Sequence, residues 1–298
     1  MIRGLPEEEY FAPGHRACAG CGGAIALRHV LKATGKNVVV VQATGCMEVV
    51  SSPYPETAWR VPWLHVAFET AAPTASGVAR ALKMQGKEDV KVIAFGGDGA
   101  TYDIGFGGIS GTFERNENIM YVCNENGAYM NTGIQRSSAT PFGASATTMP
   151  AGKAIHGKRE VKKPVALILA AHNAPYVATA SVCDINDIHR KVKKAMAIKG
   201  PTYIEIFSSC PTGWYCDSAK AIEVAKLAMQ TRISPLYEIE NGKVTITHDI
   251  TESKPVEEYL KTQGRFKHLS PEQIKEIQGQ VDHEWAKLKK LQDAGCEL

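Results

Sequence analysis

The sequence predicts an α/β chain with an open, mostly parallel sheet and helices on both faces. Two observations carry this expectation. Four short apolar runs rich in Val, Ile or Tyr read as strands buried on both sides, and helical patterns alternate with them.

Taken in order, Gly23 to Lys32 shows helical spacing of Ile25, Leu27, Val30 and Leu31 and leads into a first strand, Asn37 to Gln42. Glu69 to Met84 reads as the next helix, followed by a strand at Val90 to Phe95. A third strand is expected at Asn118 to Cys123. Residues 132 to 163, where Gly133, Pro141, Gly143, Pro150 and Gly152 stand among Ser, Thr and Ala, read as a long loop, and loops of that length are usually functional. Asn186 to Ile198 is a further helix, and Thr202 to Phe207 the fourth strand. Composition shifts near Ile233, so the chain divides into a main domain, 1–232, and a C-terminal extension, 233–298. In the extension, Glu238 to Ile250 reads as a hairpin around Asn241-Gly242. Ser270 to Leu291 reads as a polar amphipathic helix with Ser270 as N-cap and Pro271 at its first position.

The 298 residues are 44% apolar and 22% charged with a formal net charge of +3, an ordinary globular composition. A nucleic-acid reader would show a basic excess, and no apolar run approaches the roughly 20 residues of a membrane span. The first fifteen residues lack the apolar core of a secretion signal, so a cytoplasmic location is expected. In a reducing compartment, eight cysteines point to metal or redox chemistry rather than a disulfide scaffold.

Ligands of open parallel sheets bind beyond the carboxyl ends of the strands. Four motifs fall there: Ala43-Thr44-Gly45-Cys46, Gly96 to Thr101, Asn124 to Asn131, and Ser208 to Trp214. All four are expected to face one mouth. In the turn Gly97-Asp98-Gly99-Ala100, glycines allow close approach of a diphosphate, and Asp98 can hold Mg2+ against it. By itself the turn also reads as a plain strand-to-helix turn with a capping Asp. The 26 residues before Asn126 allow one helix and one strand, so Asp98, the Asn126 side chain and the Ala128 carbonyl can meet as oxygen ligands. A nicotinamide-binding turn would need a third glycine at position 102, which is Tyr.

Cys18 and Cys21 form a C-x-x-C pair before the first helix, and Cys46 and Cys210 follow strands in turns that should expose their sulfurs. Together the four thiols make a metal site. Ligand type leaves zinc and a 4Fe-4S cluster both open, although only a cluster accepts electrons from a neighbouring cofactor. Cys216 is the alternative to Cys210. Cys123 and Cys183 read as core, and Cys296 as tail. His65 reads as a hydrogen-bonded packing residue outside the site, and Lys158, Arg159, Lys162 and Lys163 as a solvated face rather than a phosphate or acidic-protein dock.

The Gly-Asp-Gly turn with its distant Asn resembles the thiamine diphosphate (ThDP) signature. ACAGCG at 17–22, ATGCMEV at 43–49, PYPETAWRVPWLHVAFETAA at 53–72, GDGATYDIGF at 97–106, AYMNTGIQRSSATPFG at 128–143 and SSCPTGW at 208–214 extend the resemblance. Over essentially its whole length the chain resembles β subunits of pyruvate:ferredoxin oxidoreductase (pyruvate synthase), in the 2-oxoacid:ferredoxin oxidoreductase superfamily. The resemblance implies the ThDP-binding fold, a 4Fe-4S cluster on Cys18, Cys21, Cys46 and Cys210, Mg2+ on Asp98, Asn126 and Ala128, and an active-site asparagine at Asn131. Asn131 otherwise reads as support for the turn at Thr132-Gly133. Gly127 departs from the family, which often carries an acid there. The implied reaction is CoA-dependent oxidative decarboxylation of pyruvate to acetyl-CoA and CO2, with electrons passed to ferredoxin, or its reverse. It also implies α-, γ- and δ-type partner subunits, without which the chain is not catalytic. Enzymes for other 2-oxoacids or oxalate, a non-oxidative ThDP decarboxylase, and a non-catalytic electron-transfer scaffold are the competing readings.

Overall fold

The computed structural model of the protein describes residues 4–53, 55–152 and 155–295. Eight strands form one sheet: β1 (Val38–Ala43), β2 (Trp63–Val66), β3 (Lys91–Gly97), β4 (Ile119–Glu125), β5 (Tyr176–Ser181), β6 (Thr202–Phe207), β7 (Tyr237–Glu240) and β8 (Lys243–Ile246). Their order is β2-β1-β3-β4-β6-β5-β7-β8. The first six run parallel, and β7 and β8 join antiparallel at the β5 edge.

Burial explains why the central strands are so apolar. Side chains alternate between two cores: Val38 and Val40, Met120 and Val122, and Ile204 and Ile206 enter one, while Val41 and Ala43, Ile119 and Tyr121, and Tyr203 enter the other. The first core is closed by α1 (Gly22–Thr34), with Leu27, Val30 and Leu31, and by helices further along the chain. In chain order the remaining helices are α2 (Cys46–Val49), α3 (Ala71–Met84), α4 (Phe106–Glu114), α5 (Val165–Ala170), α6 (Ile185–Ala197), α7 (Pro211–Trp214), α8 (Ala221–Gln230), α9 (Val256–Leu260) and α10 (Pro271–Ala294). α6 and α8 share the face of α1; α3, α4 and α5 cover the other; and α10 reaches both, with Ile277 in the first core and Trp285 and Leu288 in the second. Both faces are therefore closed, as the sequence predicts.

The predicted strands and helices stand within a few residues of their expected ends. β2 and β5 are additional. Asn241 and Gly242, with φ of 47° and 80°, make the hairpin turn between β7 and β8, the left-handed pair that a two-residue turn needs. Ser270 and Gln273 form a reciprocal capping box at the start of α10. No helix among the described residues is long and apolar enough to cross a membrane.

Candidate active site

Because β1, β3, β4 and β6 are neighbours, the turns after them converge. Gly97, which ends β3, with Asp98 and Gly99, lies between Thr44-Gly45-Cys46 on one side and Asn126 and Ala128 to Thr132 on the other, and these residues line one cleft. Asn131 lies exposed at its mouth. A Cβ on Gly97 would meet nothing within 4 Å, so the turn presents open backbone, whereas a Cβ on Gly99 would run into the ring of Tyr129. Close backbone approach is what a diphosphate needs from such a turn. From Gly99 to Ile104 the chain coils as a π-helix, with Ala100 and Thr101 buried, and leads into α4.

Three polar groups meet at the floor. The Asn126 side-chain NH2 donates to Ala128 O and to Asp98 Oδ1, both at 3.0 Å. With the amide turned over so that its oxygen faces the same two partners, these spacings approach the separation of about 2.9 Å between neighbouring oxygens of a Mg2+ octahedron, so the donor set fits that ion. Asp98 is 1% exposed, and burial, reinforced by Glu125, pushes its carboxyl up to about 8, against the hydrogen bond from Ser137. A bound cation offsets such a penalty. Two more buried acceptors line the cleft without partners among the described residues, Gln42 Oε1 on β1 and Asn124 Oδ1 on β4. A ligand with N–H donors would satisfy them.

Cys46 begins α2 and lines the cleft. Cys21 is the N-cap of α1, and Cys210, the N-cap of α7, accepts from Gly213 N–H at 3.3 Å. The sulfurs are less exposed than the sequence predicts, apart from exposed Cys18; Cys21, Cys46 and Cys210 are half-buried. Burial, then the neighbouring Cys210 and Cys21, pushes the Cys46 thiol up to about 12. Burial pushes Cys210 up to about 11, and Cys21 and Cys18 add to this. Cys21, Cys46 and Cys210 thus lie in the field of their fellow thiols and of Cys18, whereas no other described cysteine acts on Cys216. Among the described residues no three Cys, His, Asp or Glu side chains are placed to hold a single metal ion.

The two halves of the site are joined directly. Trp214, wholly buried, donates its indole N–H to Asn126 O at 2.7 Å, binding the turn after β6 to the turn after β4.

Comparison with known proteins matches residues 43–206 to the thiamine pyrophosphate enzyme C-terminal TPP binding domain. The chain is 55% identical to the pyruvate synthase subunit PorB of Methanothermobacter thermautotrophicus over 93% of this chain and 96% of that one. The chain belongs to the pyruvate synthase PorB family. The ketoisovalerate oxidoreductase subunit VorB of Pyrococcus furiosus is 45% identical over 96% of this chain and 94% of that one. A 2-oxoglutarate:ferredoxin oxidoreductase from Magnetococcus marinus shares the fold, with a TM-score of 0.59 at 24% identity over 75% of this chain and 82% of that chain.

Within this PorB-family chain the structure corrects one expectation. Lys158, Lys162 and Lys163 are not a solvated face. Lys158 is 1% exposed and donates to Ser138 O, Thr140 O and Val161 O at 3.2, 2.6 and 3.3 Å, clasping the loop together. Lys162 bridges Glu125 (3.1 Å) and Glu205 (2.8 Å), and Lys163 donates to Tyr102 O. His65 is hydrogen-bonded as expected, to Thr44 Oγ1 at 2.7 Å, but on an exposed strand edge rather than in packing. Cys123 is buried and Cys183 half-buried, while Cys296 lies outside the described residues. Gly127, with φ of 77°, sits where a Cβ would lie 2.9 Å from the Arg265 guanidinium, so this PorB-family member has no space for an acid there without moving Arg265.

Sequence places Asn124 and Tyr129 in a strand-end motif but assigns no individual role to them, to Ser137 or to Gln42. Ser137 and Tyr129 lie within motifs that carry the resemblance, which was the available signal; Gln42, a polar residue ending an apolar run, was another.

Proposed function

We propose that this chain is the β subunit of a pyruvate:ferredoxin oxidoreductase, holding ThDP with Mg2+ and a 4Fe-4S cluster for CoA-dependent conversion of pyruvate to acetyl-CoA and CO2, or the reverse. One observation carries the reading: the convergence of Asp98, the Asn126 side chain and the Ala128 carbonyl in the cleft that Cys46 also lines. Those three groups would hold Mg2+, and the open backbone at Gly97, leading into the Gly99-Ala100 turn, would receive the diphosphate. Bound ThDP supplies the nucleophile for the keto carbon and the electron sink for loss of CO2.

The chain's own residues position and guard that chemistry. Asn131, at the cleft mouth, would donate its amide N–H to the substrate oxygen as negative charge develops there. Gln42 and Asn124 would accept from ring donors of the cofactor. Cys18, Cys21, Cys46 and Cys210 would hold the cluster; its four thiolates bind four separate irons, which suits thiols that converge without closing around one ion. Ferredoxin then takes the electrons. ThDP enzymes need a carboxylate on the aminopyrimidine, and we assign it to an α-type partner, with γ- and δ-type subunits completing the enzyme.

Co-expression with its partner subunits and anaerobic assay tests this. Pyruvate- and CoA-dependent ferredoxin reduction is expected. CO2 release without ferredoxin reduction would establish a non-oxidative decarboxylase. The 45% identity to a ketoisovalerate subunit motivates one second reading, a branched-chain 2-oxoacid as substrate. A higher kcat/KM for 3-methyl-2-oxobutanoate than for pyruvate would decide for it.

A further inference from the structure

Glu125 and Glu205 are buried acids that the proposed reaction does not use. Glu125 is 3% exposed and ends β4, directly before Asn126. Glu205 is 7% exposed and lies on β6 opposite Cys123, so the two carboxylates stand on one face of neighbouring strands, two residues apart in register. One ammonium joins them: Lys162 Nζ donates to Glu125 Oε2 at 3.1 Å and to Glu205 Oε1 at 2.8 Å. Two buried carboxylates this close repel unless a cation lies between them, so the lysine decides where both can rest.

The bridge is tied to each part of the proposed metal and diphosphate site. Glu205 Oε2 accepts from Tyr102 OH at 2.5 Å, and Tyr102 lies wholly buried in the Gly99–Ile104 turn that follows Asp98. Lys163 donates to Tyr102 O, and Lys162 lies over the Tyr102 ring at 5.6 Å. Both lysines belong to the loop 132–163, which bonds Asp98 through Ser137. Glu125 also has a second cation nearby: a Cβ on Gly127 would lie 2.9 Å from an Arg265 nitrogen and 3.8 Å from Glu125 Oε1. Glu205 has only the lysine as an ion-pair partner among the described residues.

We propose that Lys162 is a positioning residue that, by neutralising Glu125 and Glu205 together, holds Asn126 and the turn after Asp98 where Mg2+ and the diphosphate bind. The inference rests on the ThDP and Mg2+ reading above.

The test is isothermal titration of ThDP, at fixed Mg2+, into the assembled enzyme freed of both, for the wild type, K162M, K162R and K162M/E205Q. K162M leaves two buried acids facing each other and should bind ThDP about tenfold or more weakly, with iron content unchanged. K162R, whose guanidinium can also span two carboxylates, should stay within about threefold of the wild type. K162M/E205Q restores no bond to the loop but removes the repulsion and leaves Glu125 to Arg265, so it too should return to within about threefold; a role in packing alone would not be rescued this way. Wild-type affinity in K162M, iron lost along with affinity in K162M, a loss in K162R equal to that in K162M, or no recovery in K162M/E205Q would overturn the proposal. If K162M fails to assemble, assembly and near-wild-type affinity of the other two variants support the proposal, and a loss of about tenfold in either overturns it. A wild-type enzyme that binds ThDP without dependence on Mg2+ would instead remove the metal reading itself.

Discussion

Ser137 Oγ donates to Asp98 Oδ2 across 2.5 Å, and both residues are buried. The loop 132–163 is thus bonded to the carboxylate we propose as a Mg2+ ligand, through the oxygen that does not face Asn126. A hydrogen bond to a charged group contributes about 1.5–3 kcal/mol. S137A should therefore weaken Mg2+-dependent ThDP binding by roughly 10- to 100-fold without removing it, and Asp98→Ala should abolish the Mg2+ dependence. Isothermal titration with and without Mg2+ checks this; unchanged affinity in both variants would place the cofactor elsewhere.

Single Cys18→Ser, Cys21→Ser, Cys46→Ser and Cys210→Ser variants should each lose iron and coupled electron transfer, since a hydroxyl is a harder, poorly ionised ligand. Cys216→Ser, Cys123→Ser and Cys296→Ser should retain both. Normal iron and activity in Cys46→Ser would contradict the assignment.

Lys158 holds three loop carbonyls from a buried position. Lys158→Met removes those bonds and strands the carbonyls, at about 1–3 kcal/mol for each one left unsatisfied. We expect a lowered Tm and faster proteolysis within residues 132–163. A Tm equal to that of the wild type would return Lys158 to the solvated face read from sequence.

His29 Nδ1 and His189 Nε2 share a hydrogen bond of 3.1 Å between α1 and α6. Burial first, then the charge of His189, lowers His29 to about 4, below the 6.5 of a free imidazole. The unfolded chain therefore binds the proton first as pH falls. This contribution to stability is complete above pH 6.5 and is lost as pH drops towards 4, by roughly 3 kcal/mol at most. Urea unfolding at several pH values should show that slope, and His29→Asn should flatten it; an equal slope in both proteins would assign it to carboxylates.

Much of this architecture is legible in the chain because it follows from local patterns. Thr202 to Phe207, the Asn241-Gly242 turn and the Ser270-Pro271 helix start each depend on neighbours in sequence. β2 and β5 escape such reading for opposite reasons: Trp63 to Val66 is an edge strand with exposed Leu64 and His65, and Tyr176 to Ser181 is buried but built largely from Ala, Thr and Ser. The glycine turn and the cysteines are visible as motifs at strand ends. What sequence does not reveal is three-dimensional pairing: which lysine finds a cage of carbonyls, that Ser137 reaches Asp98, or that Trp214 reaches Asn126. Charge patterning places Lys158 and Arg159 together on a surface, and only the fold turns Lys158 inward.

The most direct test of the central claim, that this chain holds a cluster beside its thiamine site, is metal and sulfide analysis of the chain purified anaerobically by itself, with its visible spectrum. The account predicts a coloured protein containing iron and sulfide in equal amounts, up to about four of each per chain, whose absorbance is bleached by reductant. A colourless protein containing zinc and no sulfide would contradict it.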